Sequence, residues 1–405
     1  MQKADIIVCG GGMVGLTLGL AAAQGGLAVT VVDALAPEKV LAAGFDGRVS
    51  ALAYASVRML TALGVWPHLQ PHAQPIHEIL VTDGKAGEPA SPFSLHFDAA
   101  EIGAATLGHI AENRHIRAAL FAVMAPNLTL IAPAGVTRLE KDAGGVIAHL
   151  SNGTRIKAAL AVAADGRDSK LRASEGIGVV GWSYPQTGIV ATVAHERPHN
   201  GVAYEHFLPS GPFAILPLTG NRSSLVWTER NDKAPAMMAL DENDFNAEVA
   251  RRFGPHLGAT KVVGGRWSYP LSFHLARDFV RPRFALAGDC AHGIHPIAGQ
   301  GLNLGVKDAA ALAETLLDAA RLGRDIGALD TLKRYERWRR FDSMALAVST
   351  DALNRLFSND IAPLRHLRDL GLGLVDAIGP ARRFFMRHAG GDIGKLPKLL
   401  RGDAA

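Results

Sequence analysis

The sequence predicts an α/β fold with an α+β insert, closed by a helical C-terminal segment. Three observations lead there. Short apolar runs at 4–9 (ADIIVC), 28–32 (AVTVV), 160–164 (LAVAA) and 284–287 (FALA) each end in a glycine or an acid. Runs of that length and type are strands buried on both faces of a parallel sheet. Residues 180–275 change to alternating apolar and polar runs parted by Pro, Gly and Asn, the pattern of an antiparallel sheet. At 405 residues, 48% apolar and 20% charged, the chain is an ordered globular protein long enough for two or three domains.

In chain order, Gly10-Gly11-Gly12-Met13-Val14-Gly15 follows the first strand, a helix is expected over 14–23, and the second strand ends in Asp33. In that setting G-x-G-x-x-G binds a dinucleotide. Gly10 makes the tight turn, Gly12 lets a pyrophosphate reach the backbone and Gly15 lets the helix pack on the strand. An acid about 20 residues further on takes the ribose hydroxyls. Asp46-Gly47-Arg48 precedes a helix expected over 49–63, with Leu52, Ala55, Met59, Leu60 and Leu63 at helical spacing. Arg48 reads either as a surface charge or as a contact to the dinucleotide phosphates. Residues 74–98 read as a strand-rich excursion. A helix is expected over 107–124, where Asn113 and Arg117 share a face that is either solvated or turned to the cofactor.

Strands with turns at Gly144-Gly145 and Asn152-Gly153 lead to the 160–164 strand, which ends in Asp165-Gly166-Arg167-Asp168-Ser169. Open α/β sheets bind ligands at such strand ends. A helix is expected across the insert at 241–253. GDCAHGIHPIAGQGLNLG (288–305) then supplies Gly-Asp, a proline, a Gly-Gln-Gly turn and a helix start. A turn of that kind aims backbone N–H groups at an electron-rich ligand. Helices are expected on to 322, over 332–348, and through the basic C-terminus. There is no second G-x-G-x-x-G between strand and helix, so a nicotinamide cofactor would have no domain of its own here.

The net charge of +4 is small, and no basic stretch is interleaved with aromatics, so nucleic acid is not an expected partner. Arg382, Arg383, Arg387, Lys395, Lys398 and Arg401 gather near the C-terminus. They read as a solvated face or as contact with an anionic membrane surface. Two cysteines, Cys9 and Cys290, fit a reducing compartment. No apolar run reaches spanning length, and glycines interrupt the N-terminal segment that could pass for a signal peptide. The expected location is cytoplasmic, or peripheral at the inner face of the membrane.

Taken together, GGGMVG with Asp33, ADGRDS (164–169) and the 288–305 motif resemble the single-component flavin-dependent aromatic hydroxylases of the para-hydroxybenzoate hydroxylase type. FDGRVSALAYASVRMLTALGVW (45–66), LGHIAENRHIRAAL (107–120), FLPSGPFAILPL (207–218) and YERWRRFDSMALAVSTDALNRLFS (335–358) are similar to the ubiquinone-biosynthesis hydroxylases that act on polyprenylated phenols. The resemblance implies a Rossmann-like FAD-binding domain (1–73, 99–179 and 276–345), an inserted antiparallel-sheet substrate domain (74–98 and 180–275), and a C-terminal helical segment (346–405).

It also implies tightly but non-covalently bound FAD, NAD(P)H as a transient reductant, and O₂ passed to a phenol ring through a C4a-hydroperoxide of the reduced flavin. Carried over residue by residue, Gly10, Gly12, Met13, Gly15 and Asp33 hold the ADP part. Asp165 lies where FAD and NAD(P)H meet, Asp289 holds the ribityl chain, and Gly299, Gly301, Leu302 and Asn303 border the flavin pyrimidine edge. Arg48 and Arg117 are further cofactor candidates. Cys290 stands where such proteins often have alanine. No catalytic residue is identified; His206, His295 and Pro296 are the nearest candidates.

Three rival readings compete. Asp289, Cys290, His292 and His295 could be metal ligands, but within one strand-to-helix turn they would point apart. A soluble hydroxylase of a small aromatic acid would call for an arginine in the insert, where Arg222 and Arg230 stand. A non-catalytic prenyl-binding protein on the same fold is the third.

Overall fold

The computed structural model describes residues 1–42, 46–88, 91, 94–358, 368, 375–376, 378–380, 382–383, 386, 390–391 and 394–404. Its central sheet has six strands in the order 280–281, 284–286, 160–163, 6–9, 29–32 and 128–131, all parallel except the first. Ile6, Ile7, Val8, Val31, Leu160, Val162, Phe284 and Leu286 are completely or almost completely buried. A parallel sheet covered on both faces selects such residues. Two helices cross it, Met13–Gln24 and Gly301–Arg321. They bury Leu16, Leu20, Leu312 and Leu316 in the same core.

A second sheet of eight strands runs in the order 292–293, 260–276, 179–195, 222–230, 211–218, 202–208, 78–83 and 94–98. Its two faces differ. Ile189, Ala191, Val193, Phe213, Ile215, Leu225 and Trp227 cluster with Phe245, Val249 and Phe253 of the Glu242–Phe253 helix. That helix is capped by Asp241, whose side chain accepts from the Asp244 N–H at 2.8 Å. The alternate residues face the other way. There Ala203 and Leu218 cluster with Ile76 and Ile110, while Phe207 clusters with Ile297 and Phe357.

A three-stranded sheet (49–53, 108–112, 73–76) packs Leu52, Ala73 and Ala111 into the core of the six-stranded sheet and Ile76 and Ile110 against Ala203 and Leu218 of the eight-stranded one, and it corrects two expectations. The helix expected over 49–63 is a strand, Val49–Ala53, followed by a helix, Tyr54–Ala62. The helix expected over 107–124 is likewise a strand, Gly108–Glu112, followed by a helix, Asn113–Ala122. Each stretch has acceptable helical spacing on its own. The two strands pair antiparallel with each other, Val49 opposite Glu112 and Ala53 opposite Gly108. Those interstrand hydrogen bonds outweigh local preference.

The helix expected over 332–348 is longer, Leu329–Phe357. Tyr335 donates to the Leu286 carbonyl at 2.8 Å, and Glu336 accepts from the Phe279 N–H at 2.8 Å, so this helix is bonded to the third motif's own strand. Much of 359–389, including Arg387, lies outside the described residues.

Candidate active site

The 6–9 strand ends at Gly10, whose φ is +120°; a Cβ there would stand 2.2 Å from the Ala164 carbonyl oxygen. At Gly15 a Cβ would stand 1.9 Å from the Gly10 oxygen. Only glycine permits this approach of strand, turn and helix. At Gly12 an added Cβ would meet nothing within 4 Å, so the helix N-terminus opens outward. Met13 is the first helical residue. Asp33, at the end of the next strand, accepts from the Gly11 N–H at 2.6 Å and the Leu35 N–H at 2.7 Å.

The second and third motifs, far apart in sequence, are joined in space. Asp165 accepts from the Ser169 hydroxyl at 2.5 Å and from the Cys290 thiol at 3.1 Å. Arg172 donates to the Cys290 carbonyl at 2.9 Å, and His274 lies 2.8 Å from the Asp289 carbonyl oxygen through its Nε2. The Asp289 carboxylate itself is exposed and has no hydrogen bond to the described residues. The other polar groups of the turn go to separate partners: His292 to Asp308, His295 to Tyr184. Among the described residues no group of three or more His, Cys, Asp or Glu gathers as metal ligands do.

Gly299 ends a short 3₁₀ turn, and Gly301 and Leu302 begin the long helix. Asn303 departs from its expected use. Its side chain is buried, accepting from the Ala53 N–H at 2.9 Å and the Ser56 hydroxyl at 2.8 Å and donating to the Ala51 carbonyl at 2.9 Å. It therefore ties the turn to the strand–helix junction at Ala53, and only its backbone is left to face a ligand.

Arg48, Asn113 and Arg117 meet on one group that sequence reading left unassigned, Asp46. Its carboxylate accepts from Arg48 Nε at 2.9 Å, Asn113 Nδ2 at 3.1 Å and Arg117 Nη2 at 2.7 Å. Burial would raise its pKa, but the hydrogen bonds from Arg48 and Arg117 more than offset this and hold the carboxyl below its ordinary range. Arg48 lies at the rim, its side chain 49% exposed and its guanidinium 4.8 Å from the Tyr269 ring centroid. Arg117 is 10% exposed and holds Asp46.

The titratable candidates separate cleanly. His206 lies on the same side of its strand as Tyr204 and Leu208, which pack with the Glu242–Phe253 helix, and its Nδ1 is 2.6 Å from the Thr82 hydroxyl. Strand alternation thus turns it away from the face on which Ala203 and Phe207 meet Ile110 and Ile297. His295 is fully buried at the turn, with Pro296 next to it. Burial pushes its pKa down to about 4, which leaves it neutral at neutral pH. Its Nδ1 accepts from the Ile297 N–H at 3.4 Å, and its Nε2 has no partner among the described residues. Glu205, one residue from His206, is a titratable group that sequence reasoning does not single out; it shares the strand face of Ala203 and Phe207, which pack with Ile110 and Ile297. An acid on the apolar face of an alternating strand was the available signal.

A family model described as an FAD binding domain matches residues 3–347. The chain belongs to that family. The glycine cradle at Gly10 and Gly15, the open helix start at Gly12 and the unpaired Asp289 carboxylate fit the FAD that the family binds. The chain is 51% identical over 407 residues to ubiquinone hydroxylase UbiL of Rhodospirillum rubrum, covering 99% of this chain and 93% of that one. It is 36% identical to 3-demethoxyubiquinol 3-hydroxylase of Escherichia coli, covering 96% and 98%. It is 31% identical to human ubiquinone biosynthesis monooxygenase COQ6, covering 95% and 92%. Among solved structures, p-nitrophenol 4-monooxygenase PnpA of Pseudomonas putida superposes with a TM-score of 0.80 at 19% identity, covering 98% of this chain and 100% of that one. At that identity the likeness is one of fold.

Proposed function

We propose that the protein is an FAD-dependent monooxygenase that hydroxylates the aromatic ring of a polyprenylated phenol in ubiquinone biosynthesis. The likeness to ubiquinone hydroxylases along nearly the whole chain carries the reading. Gly10, Gly12, Met13 and Gly15 present the helix start to the FAD pyrophosphate, with Asp33 at the adenosine ribose and Arg48 at the rim. Asp165 and Asp289 hold the middle of the cofactor, and the backbone at Gly299, Gly301, Leu302 and Asn303 borders the flavin. Bound FAD, reduced by NAD(P)H, supplies the activation of O₂. The chain orients the ring, excludes water and handles the proton of the ring hydroxyl. The division into a cofactor unit (1–73, 99–179, 276–345), a substrate unit (74–98, 180–275) and a C-terminal segment (346–405) is part of the same proposal.

The arginines that a small aromatic acid would need are already engaged. Arg222 is bonded to Glu112 and Thr219, and Arg230 to Asp232. The sheet face that carries Ala203, Phe207, Leu216 and Val226 is apolar instead, which suits a prenyl chain. Deletion of the gene tests the reading. We expect a prenylated ring lacking one hydroxyl to accumulate and ubiquinone to fall. Unchanged quinone in a strain without a second such hydroxylase would reject it.

A substrate of that kind resides in a bilayer, so we propose peripheral membrane contact. No described helix is long and apolar enough to cross a membrane. Of the basic C-terminal residues, Arg382 pairs with Glu101 and Asp376, Lys398 with Asp318 and Arg401 with Asp403. The long Leu329–Phe357 helix presents Phe341, Met344 and Val348 to solvent at 70%, 45% and 62% exposure, with Arg337 and Arg340 exposed beside them. Apolar anchors flanked by cations suit an anionic interface. Val348→Asp with Phe341→Asp should abolish co-sedimentation with phosphatidylglycerol vesicles while FAD content stays normal. Binding equal to wild type would remove this face from the proposal.

A further inference from the structure

Glu205 is the one acid on its strand, Val202–Leu208, and it shares a face with Ala203 and Phe207. Two residues before it, Ala203 clusters with Ile110 against the small three-stranded sheet. Two residues after it, Phe207 clusters with Ile297 of the His295–Gly299 turn. Successive odd positions of a strand share one face, so Glu205 points into the space between those two contacts, over the turn that borders the flavin. Its cross-strand neighbours are Ala214 on one side and Val81 on the other, and Val226 follows beyond Ala214. Among the described residues no lysine, arginine or histidine pairs with its carboxylate and none hydrogen-bonds to it.

The charged groups on the elements around it are committed elsewhere. On the 78–83 strand, Asp83 is paired with Arg368. On the 260–276 strand, Tyr269 lies under Arg48, which is held by Asp46. On the flavin turn, His295 packs on Tyr184, which donates to Asp351 of the long helix at 2.7 Å. Burial alone acts on Glu205, raising its carboxyl to about 7. A half-buried acid on an apolar strand face, with no partner among the described residues, is better explained by a ligand than by stability, because a carboxylate that nothing compensates there costs stability.

We propose that Glu205 is the general base for the ring hydroxyl, a role that rests on the hydroxylase reading above. The Glu205 carboxylate accepts a hydrogen bond from the substrate O–H and then takes its proton. The O–H bonding pair stays on the ring oxygen and raises electron density at the carbon to be hydroxylated. When the hydroxylated ring regains aromaticity, its C–H proton passes to water, the C–H bonding pair enters the ring, the carbonyl pair returns to the ring oxygen, and Glu205 gives its proton to that oxygen. Overall, substrate, O₂, NAD(P)H and a proton give hydroxylated product, water and NAD(P)⁺, with Glu205 unchanged.

The test uses the FAD-loaded protein with 2-prenylphenol as the probe, in wild type, Glu205→Gln and Glu205→Asp. Because the ionised carboxylate accepts the hydroxyl, wild-type binding, read from the flavin absorbance change, should weaken about tenfold from pH 8 to pH 6. Glu205→Gln should flatten that dependence. In turnover, wild-type kcat/KM should rise with pH through an apparent pKa near 7. Glu205→Gln should lose that limb and about 10²–10⁴ of the rate, chiefly in kcat, whereas Glu205→Asp should recover part of it. FAD content should match wild type in both variants, and the unfolding midpoint of Glu205→Gln at pH 8 should equal or exceed that of wild type, because the amide removes an uncompensated charge from an apolar face. A Glu205→Gln protein that keeps both pH dependences and a rate within threefold of wild type overturns the assignment. Binding needs no turnover, so it tests Glu205 even if hydroxylation of this probe fails, and wild-type turnover tests the hydroxylase reading separately.

Discussion

Replacing Asp308 with asparagine should destabilise the protein by about 3 kcal/mol and strip it of FAD. Asp308 is completely buried on the Gly301–Arg321 helix. It accepts from Arg339 Nε at 2.8 Å and from the Gly288 N–H at 3.0 Å, and it lies 2.5 Å from His292 Nε2. Breaking a buried pair from one side typically costs about 3–5 kcal/mol, because the other charge is left without compensation. Arg339 keeps Asp342 at 2.9 Å, but that acid is 48% exposed, which puts the cost at the lower end. The Gly288 N–H begins the third motif, so the same change releases the turn at the flavin.

Burial alone would raise the Asp308 carboxyl; the adjoining His292 and Arg339 outweigh that and hold it below its ordinary value. A carboxyl with a depressed folded pKa stabilises the fold above its unfolded value of about 3.9. That contribution is lost as pH falls through the lower folded value. Urea unfolding at pH 7 and pH 3 would therefore show a smaller gap between wild type and Asp308→Asn at the lower pH. A gap that is constant or wider in acid would contradict the charge-based explanation.

Gly15→Ala and Asp289→Ala should both lose FAD, but only the first should also lose stability. The alanine methyl at 15 would stand 1.9 Å from the Gly10 oxygen, so helix and strand must separate. Overpacking of this kind costs about 1–3 kcal/mol, and here the obstacle is backbone, which has no rotamer to move. Asp289 is exposed and unpaired, so its removal should change unfolding by less than about 0.5 kcal/mol. The flavin-to-protein absorbance ratio of purified variants, with their unfolding midpoints, decides both. An Asp289→Ala protein with normal FAD would sink the ribityl assignment; a Gly15→Ala protein with normal stability would sink the steric one.

Much of this site was legible in the linear sequence because its determinants are local. Gly10, Gly12 and Gly15 are spaced by the geometry of a single strand–turn–helix unit, and the buried parallel strands announce themselves as unbroken apolar runs. Asp165 and Asp289 sit at strand ends for the same reason. Asn113 and Arg117 were correctly placed on one helix face, but the acid they serve, Asp46, lies 67 and 71 residues away. No local pattern connects them.

The strands at 49–53 and 108–112 were read as helix because each looks helical in isolation, and only their mutual pairing makes them strands. The facing of His206 and Glu205 turned on which side of an antiparallel sheet the Glu242–Phe253 helix covers. Strand alternation specifies that the two point oppositely, but not which one meets the ligand. The sequence by itself therefore determined the cofactor cradle and the fold class, since both follow from short-range backbone geometry and hydrophobic period. Tertiary structure alone decided which face of its strand Glu205 occupies, which arginine is engaged and how the Gly288 turn is anchored. Those properties belong to long-range pairings, whose energies depend on burial and on partners far away in the chain.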